Sequence, residues 1–345
     1  MGTAIRSILE VKEIDLDALK GKKIAVDAFN WLYQFIASVR QYDGTPLKDS
    51  KGNITSHLSG LFNRCIFLLK NNIQPIFIFD GKAPLLKKEE QKRRAERKLK
   101  AALKLKEAIE QHDIEAMRKY SAQTGKLTDE MIQDAKMLLD GLGINWIQAP
   151  SEGEAQAAHI VKKGDAWCVA SQDFDCLLFE APRIVRNLNI SRRRKKSNSF
   201  AFEGISYELI NLSDNLNRLG IDLDGLIVIA MLVGTDFLPS GIKGIGPKKA
   251  LEIVKKYKKE EYDELFKEVN WLEETSIEWR VVFNTIKEMP VTDDYIIEEK
   301  PIKRELIRKI LVEEHDFSEE RVESSIEKLK SKIENQKQKS LSQWF

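Results

Sequence analysis

The sequence predicts an α/β protein with a mostly parallel central sheet, helical insertions and a helical C-terminal region. Three observations carry that expectation. Short apolar runs alternate with segments of helical period, the strand–helix–strand rhythm of a parallel sheet. Acidic residues recur directly after the apolar runs, and at Lys82 the composition turns abruptly basic. The 345 residues are 42% hydrophobic, enough to bury a substantial core without disulfide or metal staples. The longest apolar run, Leu226 to Val233, is far shorter than the roughly 20 residues of a membrane span, and no secretory signal opens the chain. A soluble intracellular protein with no membrane partner is expected.

Residues 23–28 read as a buried strand followed by a helix from Phe29 to about Val39. A turn-rich loop (41–53) leads to a second helical stretch at 57–70 and a second strand at 75–79. From 82 to 106 there are eleven basic residues against three acidic ones, the signature of a polar helix with little to bury. Helical pattern resumes at 128–141. Strands at 144–148 and 166–170 flank a helix over 154–163 that Gly164 ends. A basic loop, Arg192 to Lys196, precedes a buried helix at 225–233, a glycine-rich turn at 241–246, and mostly charged helices over 247–335.

The chemistry lies where carboxylates meet strands. Asp27 and Asp80 end two strands, and Asp173 and Asp175 follow a third. In an open parallel sheet these ends share one edge, where ligand sites form. Glu152 and Glu154 open a helix whose amino end faces the same edge, and Asp236 follows the buried helix. Singly, each reads as a turn residue, an N-cap or a dipole partner. Jointly they repel unless cations neutralise them. The four histidines are scattered and Cys65, Cys168 and Cys176 sit among apolar neighbours, which leaves carboxylates and water as ligands and favours Mg²⁺ or Mn²⁺ over zinc. Two oxygen-ligated ions activate water and stabilise the leaving oxygen in phosphodiester cleavage.

Gly241-Ile242-Lys243-Gly244-Ile245-Gly246, before Pro247-Lys248-Lys249, matches a helix-hairpin-helix DNA-backbone motif, with an ordinary tight loop as the alternative. The basic run at 82–106 starts at a proposed metal ligand and reads as phosphate-binding. Arg192 to Lys196 serves equally as a DNA contact or an exposed loop. At the C-terminus, Leu341, Trp344 and Phe345 place large apolar groups in a polar tail, which points to an external protein partner.

These motifs together resemble the XPG family of flap endonucleases over essentially the whole chain. The resemblance rests on Val26-Asp27-Ala28, Phe79-Asp80-Gly81, Glu152-Gly153-Glu154-Ala155, Gln172-Asp173-Phe174-Asp175, Gly234-Thr235-Asp236 and the glycine hairpin. It implies a PIN-like nuclease core with two metal ions, Mg²⁺ or substituting Mn²⁺, held by Asp27, Asp80, Glu152, Glu154, Asp173, Asp175 and Asp236. Lys87 and Arg94 would reach the scissile phosphate, and Tyr33 would stack on a base, its alternative being a core tyrosine. Gly241, Lys243, Gly244, Gly246, Lys248 and Lys249 would bind duplex DNA. Residues 82–130 would form a helical arch inside a single nuclease domain (1–335), and the tail (336–345) would dock Gln338, Leu341, Trp344 and Phe345 on a PCNA-type sliding clamp. Gly153 stands where the family commonly has Ala, which would loosen that helix start. The expected activity is a structure-specific 5′ flap endonuclease with 5′–3′ exonuclease action, acting on DNA with 5′ flaps or nicks and monomeric apart from the clamp. Alternatives are another XPG-family nuclease, or an inert clamp-tethered junction binder.

Overall fold

The computed structural model describes residues 3–190, 193–195, 202–204 and 206–342, with side chains over 3–190 and 206–334. Nine strands run in chain order as β1 (Lys12–Ile14), β2 (Lys23–Asp27), β3 (Gln74–Phe79), β4 (Trp146–Gln148), β5 (Cys168–Ala170), β6 (Arg183–Arg186), β7 (Arg193–Lys195), β8 (Phe202–Gly204) and β9 (Tyr207–Asn211). Seven of them form one sheet in the order β1-β9-β6-β5-β2-β3-β4. Its centre, β6 through β4, is parallel, while β9 and β1 add antiparallel pairs at one edge. β7 and β8 form a separate hairpin. From β2 the chain moves outward through β3 to β4, then returns to β5 on the other side of β2. The crevice at the carboxyl ends of β2 and β5 is therefore the topological switch point of the sheet.

The central strands are apolar on both faces because helices cover both. Ile24 and Val26 of β2 join one buried cluster with α1 (Ala28–Ser38) and α2 (Ser56–Lys70), whereas Ala25 joins the other. The basic segment forms α3 (Lys88–Glu110), packed against α4 (Ile114–Ser121). α5 (Asp129–Gly141) is capped by the Thr128 side chain, and α6 (Gly153–Lys163) ends at Gly164 in the left-handed conformation, φ 89°. The short α7 (Asp175–Leu178) follows β5, and α8 (Leu212–Leu219) follows β9. α9 (Leu223–Val233) buries every residue from Asp224 to Leu232. At about 1.5–3 kcal/mol for each large aliphatic side chain, this helix anchors the second cluster. The three cysteines are buried and free.

The expectation of mostly charged helices over 247–335 holds apart from one long segment. Residues 289–303 run without regular structure, tied to the core by side chains that pair with their backbone. Gln156 exchanges two 2.8 Å hydrogen bonds with the backbone of Thr292, and Asn145 donates to the Glu298 carbonyl at 2.8 Å. Among the described residues no helix is long and apolar enough to cross a membrane. Arg192, Lys196, Trp344 and Phe345 lie outside the described residues. Gln338 and Leu341 fall in the helix Glu319–Ser342, where only the backbone is described.

Candidate active site

The parallel strands deliver their carboxylates to one edge, as their order in the chain dictates. Asp27 ends β2 and caps α1, accepting a 2.9 Å bond from the Asn30 N–H. Asp80 follows β3, and its Oδ1 accepts from the Gly153 N–H at 2.7 Å. A Cβ on residue 153 would stand 2.6 Å from that same oxygen. Gly153 therefore does not loosen the start of α6; it lets the helix seat its amino end directly on Asp80. Glu152 and Glu154 flank that contact. Asp173 lies in the turn after β5, where its Oδ2 accepts from the Asn30 amide at 3.3 Å. Asp175 opens α7 and accepts from the Thr3 N–H at 2.7 Å.

Asp27, Asp80, Glu152, Glu154, Asp173 and Asp236 line one cleft of about 790 Å³, roofed by Lys87, Glu90, Arg94 and Lys98. Asp175 is buried just behind its wall. Burial and the neighbouring charges of Asp80 and Asp173 push the Asp27 carboxyl up to about 8, despite the bond from Asn30. Asp175 is raised to about 6, mostly by burial, and Asp80, Glu152 and Glu154 also lie above the ordinary carboxylate range through burial. Such a cluster has too few donors for the charge it would carry.

Lys87 and Arg94 supply part of what is missing. Lys87 pairs with Glu152 and stands 3.6 Å from Asp236, and Arg94 also pairs with Asp236. Burial alone would favour their neutral forms, yet the surrounding carboxylates raise both and keep them cationic. Glu90, which sequence reasoning missed, is a buried residue in the first turn of α3 and accepts from Arg94 at 2.9 Å and Arg97 at 2.7 Å. Its position four residues before Arg94 was the available signal. Tyr33 is 39% exposed, lines the cleft, and carries the Lys98 ammonium 4.9 Å above its ring, so it is not a core residue. Lys243, Lys248 and Lys249 are exposed but do not line this cleft. Gly241 and Gly244 have positive φ, and a Cβ on Gly241 would meet the Val233 backbone at 2.4 Å. Gly246 caps α10 (Pro247–Val254), which has Pro in its first turn.

Residues 2–101 match the XPG N-terminal domain model and residues 143–236 match the XPG I-region model. The chain is 49% identical to the flap endonuclease 1 of Staphylothermus marinus over 334 residues, covering 96% of this chain and 95% of that protein. It is also 49% identical to the Pyrococcus abyssi flap endonuclease 1, covering 100% of this chain and 98% of that one. The chain belongs to the XPG family of flap endonucleases. The structure of flap endonuclease-1 from Methanococcus jannaschii superimposes with a TM-score of 0.75 at 42% identity, covering 97% of this chain and 100% of that one. Family membership makes the protein a nuclease of a divalent-metal-dependent class, and the cleft's donor set fits such ions. Its acidic ligands are carboxylates, and burial holds Asp27, Asp80, Glu152 and Glu154 above their ordinary range, the condition a divalent cation relieves.

Proposed function

We propose that the protein is a structure-specific 5′ flap endonuclease with 5′–3′ exonuclease action, cutting DNA at single-strand/duplex junctions in replication and repair. The observation that carries this reading is the convergence of carboxylates from five separated segments beneath a cationic helix. Asp27, Asp80, Glu152, Glu154, Asp173, Asp175 and Asp236 would hold two Mg²⁺ ions, with Mn²⁺ as a substitute. Bound there, the ions supply Lewis acidity to the attacking water and to the leaving oxygen, giving a 5′-phosphate and a 3′-hydroxyl. Lys87 and Arg94 sit where a phosphate entering the cleft would exchange its charge for that of Glu152 and Asp236. Tyr33 offers its half-open ring face to an unpaired base. α3 and α4 form the arch, and the glycine turn at 241–246 holds duplex backbone through Lys243, Lys248 and Lys249.

The tail residues Gln338, Leu341, Trp344 and Phe345 dock on a PCNA-type sliding clamp, the enzyme being otherwise a monomer inside the cell. The deciding assay compares a 5′-flap duplex, a nicked duplex and a four-way junction, with Mg²⁺ or EDTA, for wild type and Asp175→Ala. Cleavage that survives EDTA or the substitution would end the two-ion reading, and preference for the four-way junction would replace the flap substrate. Phe345→Ala should weaken clamp binding and leave clamp-free cleavage intact.

A further inference from the structure

The turn that carries Asp173 and Asp175 is only five residues long, Ser171 to Asp175, and its own hydrogen bonds do little to fix it. Ser171 accepts from the Asp173 N–H at 3.2 Å. From outside the turn, Thr3 and Asn30 donate to Asp175 and Asp173 and the Gln172 amide donates to Asn189, and Arg186, the last residue of β6, meets the turn backbone and Phe174 with its guanidinium. Its Nε donates to the Gln172 carbonyl at 3.1 Å, and its planar face lies 4.6 Å from the centre of the Phe174 ring. These contacts fall on the residues immediately before and after Asp173. The guanidinium is itself held from behind. Its Nη1 donates to Glu208 at 2.6 Å, across the β6–β9 pair in which Arg186 and Glu208 are in register. Glu208 in turn takes both nitrogens of the Arg6 fork, at 2.8 and 2.7 Å. Arg186 and Glu208 side chains are each 17% exposed.

We propose that Arg186 is a positioning residue for Asp173 and Asp175, fixing where their oxygens meet a divalent ion without touching the ion or the substrate. The inference rests on the metal-dependent reading above and deepens it. Arginine suits the position because one planar group must donate in two directions and stack at once, which a lysine ammonium cannot do. Partners of this kind behind metal ligands orient the ligands, and their loss weakens metal affinity.

The test is a Mn²⁺ titration of the full-length protein without DNA, following free ion by EPR, with melting temperatures in parallel. Arg186→Met should raise the half-saturating Mn²⁺ concentration about ten-fold, and Arg186→Lys about three-fold, since lysine keeps one donor contact but not the stack. Ile184→Val, buried in the same strand but away from the turn, serves as a packing control. It should lower the melting temperature and leave Mn²⁺ binding unchanged. An unchanged midpoint for Arg186→Met, or an equal shift for Ile184→Val, overturns the proposal. If Arg186→Met does not fold, Glu208→Gln decides: a weaker midpoint supports the proposal and an unchanged one overturns it. Absence of saturable Mn²⁺ binding by wild type would instead overturn the two-ion reading, and this inference with it.

Discussion

Two acidic clusters in this protein each contain an aspartate, Asp27 and Asp49, and these two are driven in opposite electrostatic directions. In the cleft, Asp27 is pushed up to about 8 by burial and by other carboxylates. In the other cluster, Asp49 accepts from the Asn53 N–H and amide, the Lys51 N–H and His315, which against the pull of burial hold it at about 2. His315 stands between Asp49 at 3.1 Å and Asp134 at 3.3 Å, so an imidazolium there donates to both. Oxygen and nitrogen ligand atoms of Asp134, Glu314 and His315 lie within 4.8 Å of one another, more compact than any grouping in the cleft among the described residues. Compactness alone therefore does not mark a catalytic site. What separates Asp27 from Asp49 is the supply of donors: the Asn30 N–H and a 3.4 Å contact from the Ser171 hydroxyl for Asp27, against Asn53, Lys51 and His315 around Asp49.

Substitutions break this contrast most strongly at the cleft. Asp175→Ala should lower single-turnover flap cleavage by about 10³-fold or more, with the protein still folded by circular dichroism. Lys87→Ala and Arg94→Ala should each cost about 10²-fold in the same assay, with little change in substrate binding if their role is confined to the transition state. Stability should respond with opposite signs in the two regions. Asp27→Asn removes a crowded charge and should raise the melting temperature of the metal-free protein by about 2 °C or more at pH 8. Asp49→Asn removes a satisfied acceptor and should lower it.

The pH dependence sharpens the same point. Because Asp27 is raised, the unfolded chain releases that proton first, and the group's effect lowers metal-free stability as pH climbs from 3.8 toward about 8. Because Asp49 is lowered, its contribution is present above 3.8 and is lost as pH falls toward about 2. Urea titrations of Asp27→Asn and Asp49→Asn across pH 2 to 8 separate the two slopes, and Mg²⁺ should flatten only the first.

The central sheet was legible because its strands are short apolar runs closed by Asp, as at Val26-Asp27 and Phe79-Asp80. The antiparallel edge was not. Lys12-Glu13-Ile14 is mostly polar, and Tyr207 to Asn211 alternates weakly, so register with β6 rather than local pattern makes them strands. The segment 289–303 escaped for a related reason: its backbone partners are side chains of Gln156 and Asn145, more than 100 residues away in sequence. At the site, all seven proposed carboxylates were named from their places after strands, at the start of a helix, or after the buried helix. Glu90, Asn30 and Arg186 were not, because each acts through another residue and leaves no motif of its own.

The hydrogen bond from Thr3 to Asp175 spans 172 positions, and the Arg6–Glu208 pair spans 202. A ribosome must therefore release most of the chain before the cleft can close around its carboxylates. Such distant pairings form slowly, after more local structure. The nuclease centre is thus a late product of folding, and a partial chain presents DNA with the basic α3 but not the completed acidic cluster beneath it.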